Sequence, residues 1–176
     1  ADLAIEAEAA IVLAMRVARA VDRAPYDAQE AAFARIATAV GKYWVCRRAP
    51  AFVNEAQECL GGAGYVEESM LPRLYRQAPL NSIWEGSGNI QCLDVLRAMS
   101  REPEAMAALR SELAAVADLD ARYAAAFQRW AAAPAPEESQ ARLFCERTAL
   151  LLFAGFRPQR LGVLVDGVQV AEQEGM

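Results

Sequence analysis

An acidic side chain between an aromatic ring and a glycine-rich turn is the feature of this sequence with the clearest chemistry. Glu85 follows Trp84, and residues 86–88 (Gly-Ser-Gly) come next, just before a helical pattern of apolar residues. A carboxylate against a large apolar surface is costly to ionise, so its pKa rises toward the range in which a general base works. We therefore predict that Glu85 is a general base, although the same residues also suit an ordinary turn before a helix.

The glycines predict an anion site at the same place. Gly86 and Gly88 let the backbone turn tightly. The first N–H groups of the helix that follows have no partner within the helix and point toward whatever lies in the turn. A phosphate group would be the most favourable occupant.

A second glycine turn lies upstream, and together the two turns resemble a known family. Residues 58–65 read Glu-Cys-Leu-Gly-Gly-Ala-Gly-Tyr, and Glu85 follows Glu58 by 27 residues. The stretch 58–99 resembles the C-terminal signature of the acyl-CoA dehydrogenases, which joins a GGxGY-type turn to a downstream (Y/W)-E-G-(T/S) motif.

Three shorter stretches refine this resemblance. Residues 66–69, 72–76 and 81–89 are most similar to the AidB-like (alkylation-response) branch of flavoproteins. The resemblance implies an all-α helical bundle of the acyl-CoA dehydrogenase C-terminal domain type, FAD as cofactor and an acyl-CoA thioester as substrate. The implied reaction is α,β-dehydrogenation, in which a base removes an α-proton while the β-hydrogen leaves as hydride to the flavin.

The resemblance also implies roles for single residues around the turn. Glu85 matches the catalytic carboxylate, and its backbone N–H would donate to the thioester oxygen and stabilise the enolate charge. Trp84 matches the aromatic position beside flavin and substrate, and Gly86 shares the substrate-binding turn with Glu85. Ser87 and Asn89 match positions that hydrogen-bond FAD, where the family more often has Thr and Gln.

Other implied site residues depart further from the family pattern. Glu58 and Gly62 match positions that reach the FAD of a neighbouring subunit, but Glu58 replaces the usual Gln, and a carboxylate is a poorer partner for a nucleotide. Ala63 stands where Asn is common. Arg97 is predicted to point toward the substrate pocket; the alternative is an i,i+3 pair with Asp94 on the helix surface.

Composition and charge exclude or disfavour several other classes of site and protein. The chain has 176 residues, a net charge of −5 and no histidine, which excludes His-based triads and His metal ligands within it. Its four cysteines are widely separated without a CxxC pair, so free buried thiols are favoured over zinc or disulfides. No apolar run reaches the ~18 residues of a membrane span, and no signal peptide is visible, so we expect a cytoplasmic protein.

Apolar spacing predicts three helices before the glycine turns. The first would bury Leu3, Ala7, Ala10, Ala14, Val17 and Val21. The second would start at a capping box over 27–30 and bury Phe33, Ile36, Val40 and Tyr43. The third would start near Pro50 and end at 61–62.

More helices are predicted after an irregular segment over 61–88. The apolar positions that mark them are Ile90, Leu93, Leu96 and Met99, then Met106, Leu109, Leu113 and Val116, then Tyr123, Phe127 and Trp130. The run 134–136 (Pro-Ala-Pro) breaks the chain before a last helix around 143–156. For the tail over 161–170 a helix is favoured over a strand.

The domain organisation follows from the resemblance, which covers roughly residues 1–100. We expect 1–100 to be an N-terminally truncated C-terminal bundle and 101–176 a helical extension. The sequence does not begin with Met, and no cap precedes its first helix, so we expect a piece of a longer polypeptide, inactive alone and without FAD. An absent bundle helix would leave an apolar groove, and such patches rarely stay bare, so we predict a homo-oligomer.

Two other functions stay open at this point. The AidB-like resemblance implies DNA association, for which the candidate residues are Arg142, Arg147, Arg157 and Arg160. However, residues 100–176 hold eight arginines against eleven acidic residues, and duplex binding needs a basic face. The chain could also be a helical assembly module that has lost its catalysis.

Overall fold

The protein is all-helical over the part of the chain that a computed structural model describes, residues 1–156. That part contains no β-strand, which confirms the predicted fold class. The helices are α1 (Asp2–Arg23), α2 (Ala28–Glu58), α3 (Gly62–Tyr65), α4 (Leu71–Gln77), α5 (Gly88–Arg101), α6 (Pro103–Ala114), α7 (Ala121–Ala132) and α8 (Ala141–Gly155).

Helix α2 is the centre of the bundle and packs against α1, α5, α6 and α8. The prediction of two separate helices here is wrong, because α2 continues through Pro50. Proline has no N–H, so the bond to the carbonyl of Cys46 is missing. Packing on several sides stabilises one continuous helix in spite of that loss.

The start of α2 agrees with only half of the predicted capping box. The Asp27 carboxylate accepts from the backbone N–H groups of Gln29 and Glu30, at 3.0 and 3.2 Å. The Glu30 side chain does not return to Asp27; it pairs with Arg16 at 2.7 Å. The N-cap itself is therefore confirmed, and the reciprocal contact is replaced by an ion pair to α1.

The inward face of α1 agrees in part with the predicted one, since Ala10 and Val17 pack against the core. Its buried residues are Ala9, Leu13 and Ala20, whereas Ala14 and Val21 are exposed. Apolar spacing could not reveal this, because a charged side chain shares the inward face. Arg16 binds Glu112 at 2.7 Å in addition to Glu30, and its guanidinium carbon lies 4.2 Å from the centre of the Phe33 ring.

The segment over 61–88 is more regular than predicted. It contains the short helices α3 and α4 and a 3-10 turn at Ala78–Ser82. Gly64 lies against α2: a Cβ there would come 2.3 Å from the Gln57 carbonyl oxygen.

The helices after α5 complete the same core. Leu109, Leu113, Tyr123 and Trp130 are buried as their spacing predicted, and the buried Tyr123 hydroxyl donates to the Leu113 carbonyl at 3.0 Å. One cluster of buried side chains includes residues on both sides of position 100. The predicted break after α7 and the last helix are present, and the predicted tail over 161–170 lies outside the described residues.

The expectation of free buried thiols is confirmed for two of the four cysteines. All four cysteines are free; Cys92 and Cys145 are buried, whereas Cys59 is exposed and Cys46 half-buried. Within residues 1–156, no helix combines the length and apolar character that crossing a bilayer requires.

Candidate functional site

The candidate site is the turn formed by residues 83–87, called the Glu85 turn below, which leads into α5. Glu85 has φ of +51°, and it is the one non-glycine residue with positive φ among residues 1–156. Gly86 follows with φ of +96°. A left-handed conformation at a residue with a side chain costs about 1–3 kcal/mol and persists only where the surroundings hold it.

A lysine on α2 is one of the residues that hold the turn in this conformation. The Lys42 ammonium group donates to the carbonyl oxygens of Asn81 and Trp84, at 2.5 and 3.1 Å. These two carbonyls lie on the N-terminal side of Glu85. The contact therefore fixes the backbone that arrives at the strained residue.

A glutamine on α5 holds the other side of the turn. The Gln91 side-chain amide donates to the carbonyl oxygen of Glu85 at 3.1 Å and lies 3.5 Å from that of Gly86. A Cβ at position 86 would lie 2.5 Å from the same amide nitrogen. Glycine at position 86 thus serves both the positive φ and the close approach of Gln91.

The side chains of the Glu85 turn face solvent. Glu85 and Ser87 are exposed, and Trp84 is 54% exposed. Glu85 was predicted to lie against a large apolar surface, but the described residues do not enclose it. The turn and the start of α5 form an open surface, called the wall below. The carboxylate of Glu85 can become buried only when another molecule or another part of a protein covers this wall.

Helix α5 starts at this wall with free donors. Ser87 is its N-cap, and the serine side chain makes no capping bond. The backbone N–H of Glu85 takes part in none of the hydrogen bonds recorded within residues 1–156. These N–H groups can serve an external acceptor.

The base of α5 is fixed by Tyr43 and by α8. A Cβ on Gly88 would lie 3.2 Å from the Tyr43 ring, so helix and ring are in close contact. Burial raises the pKa of Tyr43 to about 12, which keeps the phenol neutral. Asn89 is exposed, and its side-chain oxygen accepts from the Arg142 guanidinium at 3.4 Å.

The remaining predicted site residues have other partners. Glu58 is exposed at the end of α2 and accepts from the Asn54 side chain at 3.0 Å, and Gly62 is exposed at the start of α3. Arg97 pairs with Asp94 at 3.1 Å, which confirms the alternative given for it. None of the hydrogen bonds or ion pairs within residues 1–156 connects Arg97 with Glu85.

Asp94 is held mainly by another helix. The Arg35 guanidinium on α2 binds both of its carboxylate oxygens, at 2.7 and 3.2 Å, and lowers the Asp94 pKa. Arg35 also reaches Glu102 at 2.9 Å. Arg97 is thus the outermost member of a charged group that joins α2 to α5.

The described residues offer no metal site, because no cluster of three or more potential ligands exists among them. Of the four arginines considered for DNA, Arg157 and Arg160 lie outside the described residues. Arg142 binds Asn89, and Arg147 lies on α8 beside a separate cavity.

Comparison with known families decides what this turn belongs to. The sequence profile described as "Acyl-CoA dehydrogenase, C-terminal domain" matches residues 1–100, which include the Glu85 turn and the helices that hold it. The chain belongs to the acyl-CoA dehydrogenase family.

Individual family members support the AidB-like branch. The chain is 55% identical over 100 residues to putative acyl-CoA dehydrogenase AidB of Escherichia coli, covering 57% of this chain and 18% of that protein. It is 45% identical over 71 residues to acyl-CoA dehydrogenase family member 11 of Caenorhabditis elegans, covering 40% of the chain and 12% of the relative. For the short-chain specific enzyme of Bos taurus mitochondria the identity is 37%, over 54% of the chain and 21% of the relative. The matches therefore span about a fifth or less of these proteins.

Solved structures share the fold over more of the chain. The Caenorhabditis elegans protein ACDH-11, in complex with C11-CoA, has a TM-score of 0.78 at 23% identity, over 95% of this chain and 33% of that one. The apo form of Bd2924 has a TM-score of 0.75 at 25% identity, over 90% of this chain and 32% of that one. The shared fold thus extends beyond the 100 residues matched by the acyl-CoA dehydrogenase profile.

Sequence reasoning missed two residues of this acyl-CoA dehydrogenase domain. Lys42 lies about forty residues before the turn it binds, and no local pattern connects the two. Lys42 is, however, the chain's single lysine, and it follows a glycine within an otherwise apolar stretch. Gln91 lies only six residues after Glu85, where a long amide can fold back onto the turn.

Proposed function

We propose that this chain is the C-terminal part of an FAD-dependent acyl-CoA dehydrogenase of the AidB-like type, in which Glu85 is the base for α,β-dehydrogenation of an acyl-CoA thioester. The observation that carries the proposal is the backbone at Glu85. A carboxylate residue is held in a left-handed conformation by Lys42 and Gln91, at the start of a helix whose first N–H groups are free. Such strain is typical of functional positions.

The wall around the turn fits one side of a flavin site. Trp84 exposes an aromatic surface, Ser87 exposes a hydroxyl without a capping partner, and Asn89 exposes an amide. We assign these three residues to FAD binding. Bound FAD would supply the acceptor for the hydride that leaves the β-carbon.

Glu85 has two tasks in this proposal. Its carboxylate takes the α-proton, and its backbone N–H, together with the turn at Gly86, donates to the thioester oxygen on which charge develops. Cofactor and substrate laid over the wall would remove Glu85 from water and raise its pKa. The apolar burial that the chain lacks would then come from the bound molecules.

Residues farther from Glu85 are assigned to the edge of the proposed site. Glu58 and Gly62 would face the cofactor of a neighbouring subunit; their exposure supports this role, but the negative charge of Glu58 opposes contact with a phosphate. Arg97 would act on the substrate pocket only after leaving Asp94. We therefore place Glu58 and Arg97 at the edge of the site.

The chain would need further protein for activity, because the wall is open and the matched relatives are several times longer. We propose that it is inactive alone, holds no FAD by itself, and works in the cytoplasm as part of a homo-oligomer. An apolar groove of about 260 Å³ between α1, α2 and α8 supports self-association. It is lined mainly by Ala7, Ala10, Ile11, Val45, Phe52 and Phe153.

The test is substitution of Glu85 by Gln in the full-length protein that carries this sequence, with an exposed acid, Glu68→Gln, as matched control. Loss of the base should lower dehydrogenation of acyl-CoA substrates by roughly 10²-fold or more, with flavin content unchanged. The control should retain wild-type rates. If Glu85→Gln is as active as wild type, or if wild type has no dehydrogenase activity, the chain is an assembly module with an inherited turn.

A further inference from the structure

A small cavity lies between α7, α8 and the connection that joins them. Its volume is about 190 Å³, and none of its lining residues belongs to the Glu85 turn or carries a negative charge. Its lining includes two arginines, two aromatic residues and two prolines, namely Arg129, Trp130, Pro134, Pro136, Phe144 and Arg147.

Arg147 carries the main observation. Its Nε atom is buried without a hydrogen-bond partner, and it is the one buried side-chain nitrogen or oxygen atom among residues 1–156 in that condition. None of the ion pairs within residues 1–156 includes Arg147. The residue as a whole is half-buried and lines the cavity, so an anion that enters the cavity would give this guanidinium an acceptor.

The opposite wall of the cavity is apolar and already fixed. Trp130 is 6% exposed, and its indole N–H donates to the Thr148 hydroxyl at 2.9 Å. The Trp130 ring stacks between Phe127 and Phe144, with centroid distances of 6.1 and 5.9 Å. The Arg110 guanidinium carbon also lies 5.4 Å from the centre of this ring, so little of the ring is exposed. Because the indole N–H is already bonded, what Trp130 adds to the cavity lining is apolar.

We propose that this cavity binds a small aromatic carboxylate, with its ring against Trp130 and Phe144 and its carboxylate on the Arg147 guanidinium. The forked donors of arginine match the two oxygens of a carboxylate. The cavity is smaller than the roughly 300 Å³ at which pockets for drug-sized ligands begin, so the ligand has a single ring. The site does not depend on the dehydrogenase function proposed above.

The experiment uses the full chain with benzoate as probe, benzamide as its uncharged counterpart and acetate as its counterpart without a ring. Titration calorimetry gives the affinities, and the ¹⁵N resonance of the Trp130 indole reports the location. We expect benzoate to bind saturably and shift that resonance, and the other two to bind at least roughly tenfold more weakly. Absence of saturable benzoate binding, or equal binding of benzamide, overturns the proposal.

Two variants on α8 test the role of Arg147. Arg147→Met should weaken benzoate binding at least roughly tenfold. The control Arg142→Met removes an exposed arginine outside the cavity lining and should leave the affinity unchanged. Since the buried Nε atom of Arg147 has no acceptor among residues 1–156, Arg147→Met should also keep the wild-type melting temperature or raise it. Unchanged benzoate affinity in Arg147→Met would overturn the placement of the carboxylate on Arg147. A fall of several degrees in the melting temperature would also overturn it, because Arg147 would then already serve an acceptor elsewhere in the chain.

Discussion

The Lys42 ammonium group lies 3.1 Å from the carbonyl oxygen of Trp84, the residue immediately before Glu85. A cation on the central helix thus holds the peptide group that presents the candidate base. Gln91 holds the following peptide group from α5. The turn takes its shape from two helices that pack against each other, so the geometry of Glu85 depends on the core of the bundle.

Removal of the Lys42 contact should loosen the turn. Lys42→Met deletes a charged donor to two carbonyls, a loss of about 1–3 kcal/mol for local opening of the turn. Amide hydrogen exchange over residues 81–87 should become faster, with little change elsewhere. The control Arg47→Met removes an exposed cation from the same helix and should not alter exchange in the turn; equal exchange in both variants would contradict the role of Lys42.

A side chain at position 86 should be unfavourable. Gly86→Ala combines φ of +96° with a Cβ only 2.5 Å from the Gln91 amide nitrogen, so the amide must swing away from the turn while the strained φ remains. We expect the protein to lose about 1–3 kcal/mol of unfolding free energy. Gly62→Ala is the control, since no atom lies within 4 Å of its Cβ position. Urea unfolding should separate the two variants, and equal unfolding free energies for Gly86→Ala and Gly62→Ala would contradict the strain assigned to position 86.

The ion pair between Arg35 and Asp94 should make the free energy of unfolding depend on pH in the acid range. Arg35 lowers the pKa of Asp94 in the folded state, so this contribution is complete above the unfolded pKa of about 3.9 and is lost as pH falls through the lower folded value. Asp94→Asn should therefore lower the unfolding free energy at pH 7 and much less at the acid end. A difference between the variant and wild type that stays constant from pH 7 down to about pH 2 would contradict this assignment.

The apolar groove should govern self-association. Ile11 lines the groove and is 62% exposed, whereas Leu119 is 63% exposed and lies outside its lining. Ile11→Arg should shift the chain toward monomer in light scattering at micromolar concentration, because an interface over the groove would have to take the new charge out of water. Leu119→Arg should leave the association state unchanged, and an equal effect of both variants would exclude the groove as the interface.

Local patterns in the sequence predicted much of the bundle. Helix type, the Asp27 cap and the burial of Phe33, Ile36, Val40 and Tyr43 follow from apolar spacing and capping chemistry, which act within one or two turns. The continuity of α2 through Pro50 did not follow, because tertiary packing outweighs the lost backbone bond. The predicted face of α1 is wrong at Ala14 and Val21 for a related reason, since Arg16 on the inward side of the helix is satisfied by two distant carboxylates.

The candidate site could likewise be predicted from the sequence where it depends on neighbouring residues, and not where it depends on contacts between distant ones. The motif around Glu85 identified the turn, and the family profile agrees with it. The expected apolar burial of Glu85 is not provided by the described residues, since burial depends on what covers the open wall. Lys42 could not be found from the sequence, because its contact with Trp84 exists only once α2 has packed beside the turn.

Proton exchange at the α-carbon of a bound acyl-CoA tests the central claim most directly, because it isolates the step assigned to Glu85. The full-length protein would be incubated with an acyl-CoA in deuterated water, and deuterium at the α-carbon followed by mass spectrometry. We predict exchange in wild type and in Glu68→Gln, and loss of exchange by roughly 10²-fold or more in Glu85→Gln. Exchange in Glu85→Gln at the wild-type rate would contradict the account.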